Sequence, residues 1–174
     1  MKTKALFKLC CTAVFAAIIC ILTFAFPIPL PNKGYFNFGD CFIIVSALCL
    51  GPVFGGMAAG VGAGLADLIL GYTYYAPATF VIKWLMAAAC YAVFMMIVKI
   101  HNKLDILGIV CGAVLAEIIM VAGYFLFEIP LYGIGVALAD TIGNAMQGVI
   151  GAVSGSLLYT VLHKTGTTKK LFKF

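Results

Sequence analysis

Lys83 is the side chain whose position carries the most chemistry. The chain has eleven lysines and no arginine; ten lysines flank apolar blocks, and Lys83 stands inside one, between Ala76 and Lys99. An ammonium among hydrocarbon is destabilising by a few kcal/mol or more, so it marks a functional site or an internal ion pair. Asp67, Glu117 and Asp140 are carboxylates in similarly apolar surroundings, and Asp67 or Glu117 could neutralise Lys83. Other polar groups recur at helical spacing. Asp140, Asn144 and Gln147 fall at i, i+4 and i+7, which places them on one helix face. Glu117, Tyr124 and Glu128 form a similar stripe, and Thr79 shares a face with Lys83. Asn37 and Asp40 stand at the base of a loop. Lys83 and the amides can donate to ring nitrogens or hydroxyls, and Glu117 can accept from an amine or ring N–H. Lys83 and Glu117 together could also relay a proton.

The elements that must hold these groups are apolar. Of 174 residues, 64% are hydrophobic and 10% charged, with a mean hydropathy of +1.16. A water-soluble domain carries about 25% charged residues, so the expectation is an all-α membrane protein. At about 20 residues per crossing, the length admits six helices in a single integral domain, residues 1–174. The expected spans are 5–26, 40–50, 53–70, 77–99, 106–127 and 136–162. Pro27, Pro29 and Pro31 end the first, since alternate prolines cannot continue a helix. Asp40 is placed as the N-cap of the second, which is short for a crossing. Gly51-Pro52 separates it from the third, where glycines repeat at four-residue spacing and allow close helix approach. The segment 128–133 is read as an outer turn.

Charge placement orients the bundle. Lys2, Lys4, Lys8, Lys99, Lys103, Lys164, Lys169, Lys170 and Lys173 fall on one side if the helices alternate, and Lys33 on the other. Both termini are then cytoplasmic, and the basic tail lies near an anionic leaflet. Lys83 is about 9 Å below the outer surface at 1.5 Å per residue. The remaining polar groups lie in the outer half or near the midplane, above an inner half that is apolar and small. A cup open outward and sealed below suits a binding protein better than a channel, which needs a polar lining throughout. Its outer half carries Asp40, Asp67, Glu117, Glu128 and Asp140 against Lys33 and Lys83. Multiply charged anions would be repelled; a neutral or cationic aromatic heterocycle is favoured. Tyr72, Tyr74 and Tyr75 read as anchors at the outer interface, and Trp84 as a ring facing lipid.

Other classes find no support. No phosphate-binding loop, His-Glu-x-x-His or paired aspartate motif occurs, so neither catalysis nor a cofactor is expected. The seven cysteines include no Cys-x-x-Cys pair, which argues against metal. The basic balance sits at membrane edges and does not suggest nucleic acid. The first apolar block lacks a small-x-small cleavage site and reads as a retained helix.

Four stretches carry a resemblance that covers nearly the whole chain: Gly34-Tyr35-Phe36-Asn37-Phe38-Gly39-Asp40, Leu50-Gly51-Pro52-Val53-Phe54-Gly55-Gly56, Ala66-Asp67-Leu68, and Tyr75-Ala76-Pro77-Ala78-Thr79-Phe80-Val81-Ile82-Lys83. The chain resembles the substrate-binding S component of energy-coupling factor (ECF) vitamin transporters. Within that family it looks like the subgroup associated with hydroxymethylpyrimidine, vitamin B6-type and queuosine-precursor uptake. The resemblance implies a bacterial cytoplasmic-membrane subunit without its own energy source. A transmembrane coupling subunit would dock on an Ala-x-x-x-Ala patch, here Ala13 and Ala17, and two ATPase subunits would drive toppling. The expected ligand contacts are Asn37, Asp40, Asp67, Thr79, Lys83, Glu117, Tyr124, Asn144 and Gln147. A stand-alone secondary carrier, or a structural or regulatory subunit without ligand, remains open on the sequence.

Overall fold

The computed structural model describes residues 2–25, 27–29, 35–100 and 105–172. The turn expected at Asn32-Lys33-Gly34 and the lysines Lys103 and Lys173 lie outside them. Helix α1 (Lys2–Phe24) is followed by strands β1 (Ile28–Pro29) and β2 (Tyr35–Phe36). Helices α2 (Gly39–Leu70), α3 (Ala76–Ile100), α4 (Asp105–Tyr132), α5 (Ile134–Lys164) and the short α6 (Thr167–Leu171) complete the chain. The two strands pair antiparallel, Ile28 opposite Phe36 and Pro29 opposite Tyr35. Among the described residues, five helices, α1 to α5, are long and apolar enough to cross a membrane.

That count differs from the six separate helices expected, and the reason is local. The expected spans 40–50 and 53–70 are the two segments of α2, which is broken inside at Gly51 with φ 84° and ψ 179°. A side chain rarely adopts this φ, whereas glycine does so without penalty. The break is acute. A Cβ on Gly55 would stand 2.7 Å from the Cα of Ala47, although eight residues of straight helix cover about 12 Å. The segments 39–50 and 52–70 therefore fold back on one another. Pro52 opens the second segment, where a missing N–H costs no helical hydrogen bond.

Two other boundaries moved. The turn expected at 128–133 is helical: α4 runs through Pro130 to Tyr132. Proline removes one N–H bond from the last turn, and the chain leaves only at Gly133, with φ 85°. Asp40 is not an N-cap. The helix begins at Gly39 with Phe38 in the cap position and no side-chain cap bond, which leaves the Asp40 carboxylate for the interior.

The helices pack in a ring, α1 on α2, then α2 to α5 in sequence, with α5 closing on α2. Ala58, Ala59, Ala63, Ala66, Ala87, Ala113 and Ala116 are buried where helices meet. Small residues allow the close backbone approach that drives association when the surroundings are as apolar as the core. Trp84 is half-buried, with its ring where a Cβ on Gly56 would fall, 2.4 Å from Cδ1. It fills a notch on α2 rather than only facing outward. Large apolar side chains such as Leu126 and Ile142 cover the exterior, 66% and 68% exposed, a distribution that suits lipid and not water.

Candidate functional site

A hydrogen-bonded chain of polar groups crosses the bundle interior. Lys83 Nζ donates to Asp40 Oδ1 at 2.5 Å, and Gln147 Nε2 donates to Asp40 Oδ2 at 2.6 Å. Gln147 Oε1 in turn accepts from the Asn37 backbone N–H at 2.9 Å and from Asn37 Nδ2 at 3.3 Å. The Asn37 side-chain oxygen accepts from the Gly39 N–H at 2.9 Å and lies 3.5 Å from the Thr23 hydroxyl. Five segments are thereby tied together: α1, the β2–α2 link, the start of α2, α3 and α5. Lys83 is 2% and Asp40 1% exposed. The partner of Lys83 is thus neither Asp67 nor Glu117. Asp40 lies in the first turn of α2, where the helix dipole favours a carboxylate, and Gln147 satisfies its second oxygen.

Beside this chain lies a narrow recess with an open mouth, about 430 Å3 when the space in that mouth is counted. Asn37, Asp67, Thr79, Lys83, Tyr124, Asn144 and Gln147 all line it, so seven of the nine residues expected to contact ligand are brought together. Thr23, Tyr35, Tyr72, Tyr75 and Glu128 also line it and were not among the nine. Tyr35 OH donates to Asp67 Oδ1 at 2.5 Å. Tyr75 OH donates to Glu128 Oε1 at 3.2 Å, and the hydroxyls of Thr79 and Tyr124 are 3.0 Å apart. Burial, reinforced by the neighbouring carboxylate, raises the phenols of Tyr35 and Tyr75 well above the ordinary tyrosine range. Both therefore remain donors at neutral pH.

The tyrosines form a wall. Ring centroids are 5.0 Å apart for Tyr35–Tyr72, 6.0 Å for Tyr72–Tyr75 and 6.4 Å for Tyr75–Tyr124. Lys83 Nζ lies 5.6 Å from the Tyr124 ring. Of the three tyrosines read as interface anchors, only Tyr74 points away, 83% exposed. The repeated tyrosines at 72, 74 and 75 were visible in the sequence; their direction was not, because a loop residue has no helical period to fix its face.

Two expected contacts lie elsewhere. Asp40 stands behind Lys83, outside the recess lining. Glu117 also lines none of it. It packs on α5 with its Cβ 3.1 Å from where a Cβ on Gly148 would stand, and it borders an apolar groove between α4 and α5. Both Glu117 oxygens are buried without a hydrogen-bond partner among the described residues. Asp140, Asn144 and Gln147 are all buried on one face of α5, as their spacing requires. Ala13 and Ala17 are exposed on one face of α1.

Comparison with known proteins adds to this geometry. The sequence profile of a family described as "ECF-type riboflavin transporter, S component" matches residues 4–164. An uncharacterized protein in the gap 3′ region of Pyrococcus woesei is 38% identical over 149 residues, covering 84% of this chain and 95% of that protein. The thiamine precursor transporter HmpT of Lactococcus lactis subsp. cremoris is 27% identical over 168 residues, covering 95% of this chain and 93% of the relative. A solved S component of a bacterial ECF transporter superposes with a TM-score of 0.66 at 24% identity, covering 95% of this chain and 98% of that one. At that identity the superposition speaks for the fold.

Proposed function

The chain belongs to the ECF-type riboflavin transporter S component family, and from that premise we propose that it binds a small neutral or cationic vitamin-like heterocycle outside the cell for import. Hydroxymethylpyrimidine, pyridoxine and a queuosine precursor are the candidates. The observation that carries this reading is the buried polar recess, in which an ammonium, two carboxylates, three amides and four phenols converge inside an apolar bundle. Such groups are destabilising in a membrane interior unless they pair with one another or serve a ligand, and the pairing present leaves Glu128 Oε2 and Asp67 Oδ2 without a hydrogen-bond partner among the described residues. The likeness to the thiamine precursor transporter HmpT favours a single-ring ligand.

Asn37, Asp67, Thr79, Lys83, Tyr124, Asn144 and Gln147 are the proposed contacts, with Asp40 and Glu117 acting from behind. Counting the two segments of α2 separately, the single domain crosses the cytoplasmic membrane six times with both termini inside. A coupling subunit docks on the exposed Ala13–Ala17 face of α1, and two ATPase subunits drive toppling. Thermal-shift and calorimetric titration of the purified protein with the three candidates tests the reading. At least one should raise the melting temperature, and Asn144→Ala should weaken that ligand about tenfold, the loss of roughly one good contact. If no heterocycle stabilises the protein, the reading fails. Uptake by vesicles lacking ATPase subunits would replace it with a stand-alone carrier.

A further inference from the structure

Accepting the binding role proposed above, we infer that the recess is built for an organic cation, a protonated or quaternary nitrogen heterocycle, with Asp67 and Glu128 as its counter-charges. Three ionisable charges line the recess: Lys83, Asp67 and Glu128. They are not equivalent. Lys83 is already matched, since its ammonium rests on Asp40 at 2.5 Å and Asp40 lies outside the lining. An anionic ligand would have to compete with that buried contact. Asp67 and Glu128 have no Lys, Arg or His nitrogen within ion-pair distance among the described residues. The lining therefore has a net negative balance once the Lys83–Asp40 pair is counted as neutral.

The way these carboxylates are held points the same way. Each accepts one phenol, Tyr35 on Asp67 and Tyr75 on Glu128. A neutral donor orients a carboxylate without cancelling its charge. Glu128 is 1% exposed, and its Oε2 has no hydrogen-bond partner among the described residues. A buried oxygen of this kind is destabilising until a donor meets it, and a ring N–H or amino group is such a donor. The tyrosine wall supplies the remainder. A cation within about 6 Å of an aromatic face is attracted by the ring quadrupole, and Tyr72 and Tyr75 offer neighbouring rings 6.0 Å apart, whereas the Tyr124 ring already has Lys83 Nζ beside it. Asp140, near Glu128 but outside the lining, brings no positive charge to offset this balance. Four tyrosines and two carboxylates in the lining suit a delocalised ring cation better than a compact metal ion, which would need more oxygen ligands.

The test uses the full-length protein and three probes of one shape: hydroxymethylpyrimidine, its N-methylated pyrimidinium, and the analogue carrying a carboxylate in place of the hydroxymethyl group. Calorimetric dissociation constants are compared as ratios. The pyrimidinium should bind about tenfold more tightly than the neutral ring, the effect of one charge contact in a desolvated site, and the carboxylate should not bind. Asp67→Asn and Glu128→Gln should each collapse the cation-to-neutral ratio toward one. Asp105→Asn, at the other end of α4, should leave it at the parental value. If either recess variant fails to fold, Tyr75→Phe provides the same readout, because loss of its hydroxyl releases Glu128 and lowers the ratio. Equal binding of the neutral and cationic probes, a ratio unmoved by the carboxylate variants, or preference for the carboxylate probe would overturn the inference while leaving the heterocycle reading intact. Failure of all three probes and of every candidate heterocycle would remove that reading and this inference with it.

Discussion

Asp40 and Glu117 invite comparison because both are acidic, both lie in apolar helices, and both are almost wholly buried, at 1% and 5% exposure. The region around Asp40 is saturated: an ammonium on one oxygen, an amide on the other, and a second amide relaying to the loop. Glu117 faces Gly148 and Gly151 of α5 and borders an apolar groove, with Asp40 across Gly151 from it, and neither carboxyl oxygen has a hydrogen-bond partner among the described residues. Burial alone thus says little about a carboxylate; the donors supplied by neighbouring helices decide whether it stabilises or destabilises. Asp40 meets α3 and α5 at positions where Lys83 and Gln147 point inward. Glu117 meets α5 at Gly148 and Gly151, which have no side chain to offer.

The comparison can be broken most forcefully at Lys83. Lys83→Met should destabilise the fold by about 3–5 kcal/mol, the effect of stranding one member of a buried pair. Lys83→Met combined with Asp40→Leu should recover most of that loss, as read from unfolding in detergent. Additive losses in the double variant would mean that the pair is not a unit. Gln147→Ala should destabilise by about 1.5–3 kcal/mol, because Asp40 then loses a charge-assisted bond. The same measurement checks it, and a loss under a few tenths would count against the relay.

Glu117 should respond with the opposite sign. Glu117→Met removes a buried, unsatisfied carboxyl while keeping its length, and should raise stability by about 1–3 kcal/mol. A fall in melting temperature of the size seen for Lys83→Met would show that Glu117 has a partner after all. The smallest effect concerns alkaline pH. Tyr35 and Tyr75 hold their protons more tightly folded than unfolded, so their contribution is intact below the ordinary tyrosine value of 10.0. Stability should decline as pH rises above that value. Tyr35→Phe should make the decline shallower, followed as melting temperature against pH. An unchanged slope would argue against a buried Tyr35–Asp67 bond.

Much of the architecture was legible from local pattern. Composition and block length imposed long apolar helices, and the spacing of Asp140, Asn144 and Gln147 placed all three on the buried face of α5. Gly51-Pro52 marked the point where the chain turns, and the helical path of α2 is broken there by the non-helical backbone of Gly51. The Pro130 turn was misread because proline near a helix end sacrifices only one bond, so the helix could continue to Gly133. Tyr35 and Tyr75 escaped notice as lining residues because loop positions carry no periodicity to reveal which way they face.

Sequence by itself determined that ionisable and amide groups would be carried into an apolar helical bundle, because hydropathy and helical period are properties of neighbouring residues. Only the tertiary structure decided which of them would meet. Lys83 and Asp40 are 43 residues apart, and their contact depends on α2 folding back at Gly51 and on the register in which α3 and α5 pack against it. That register depends on small residues and glycine notches shared between helices. Pairing of charges is therefore a consequence of packing, whereas their presence is written in the chain.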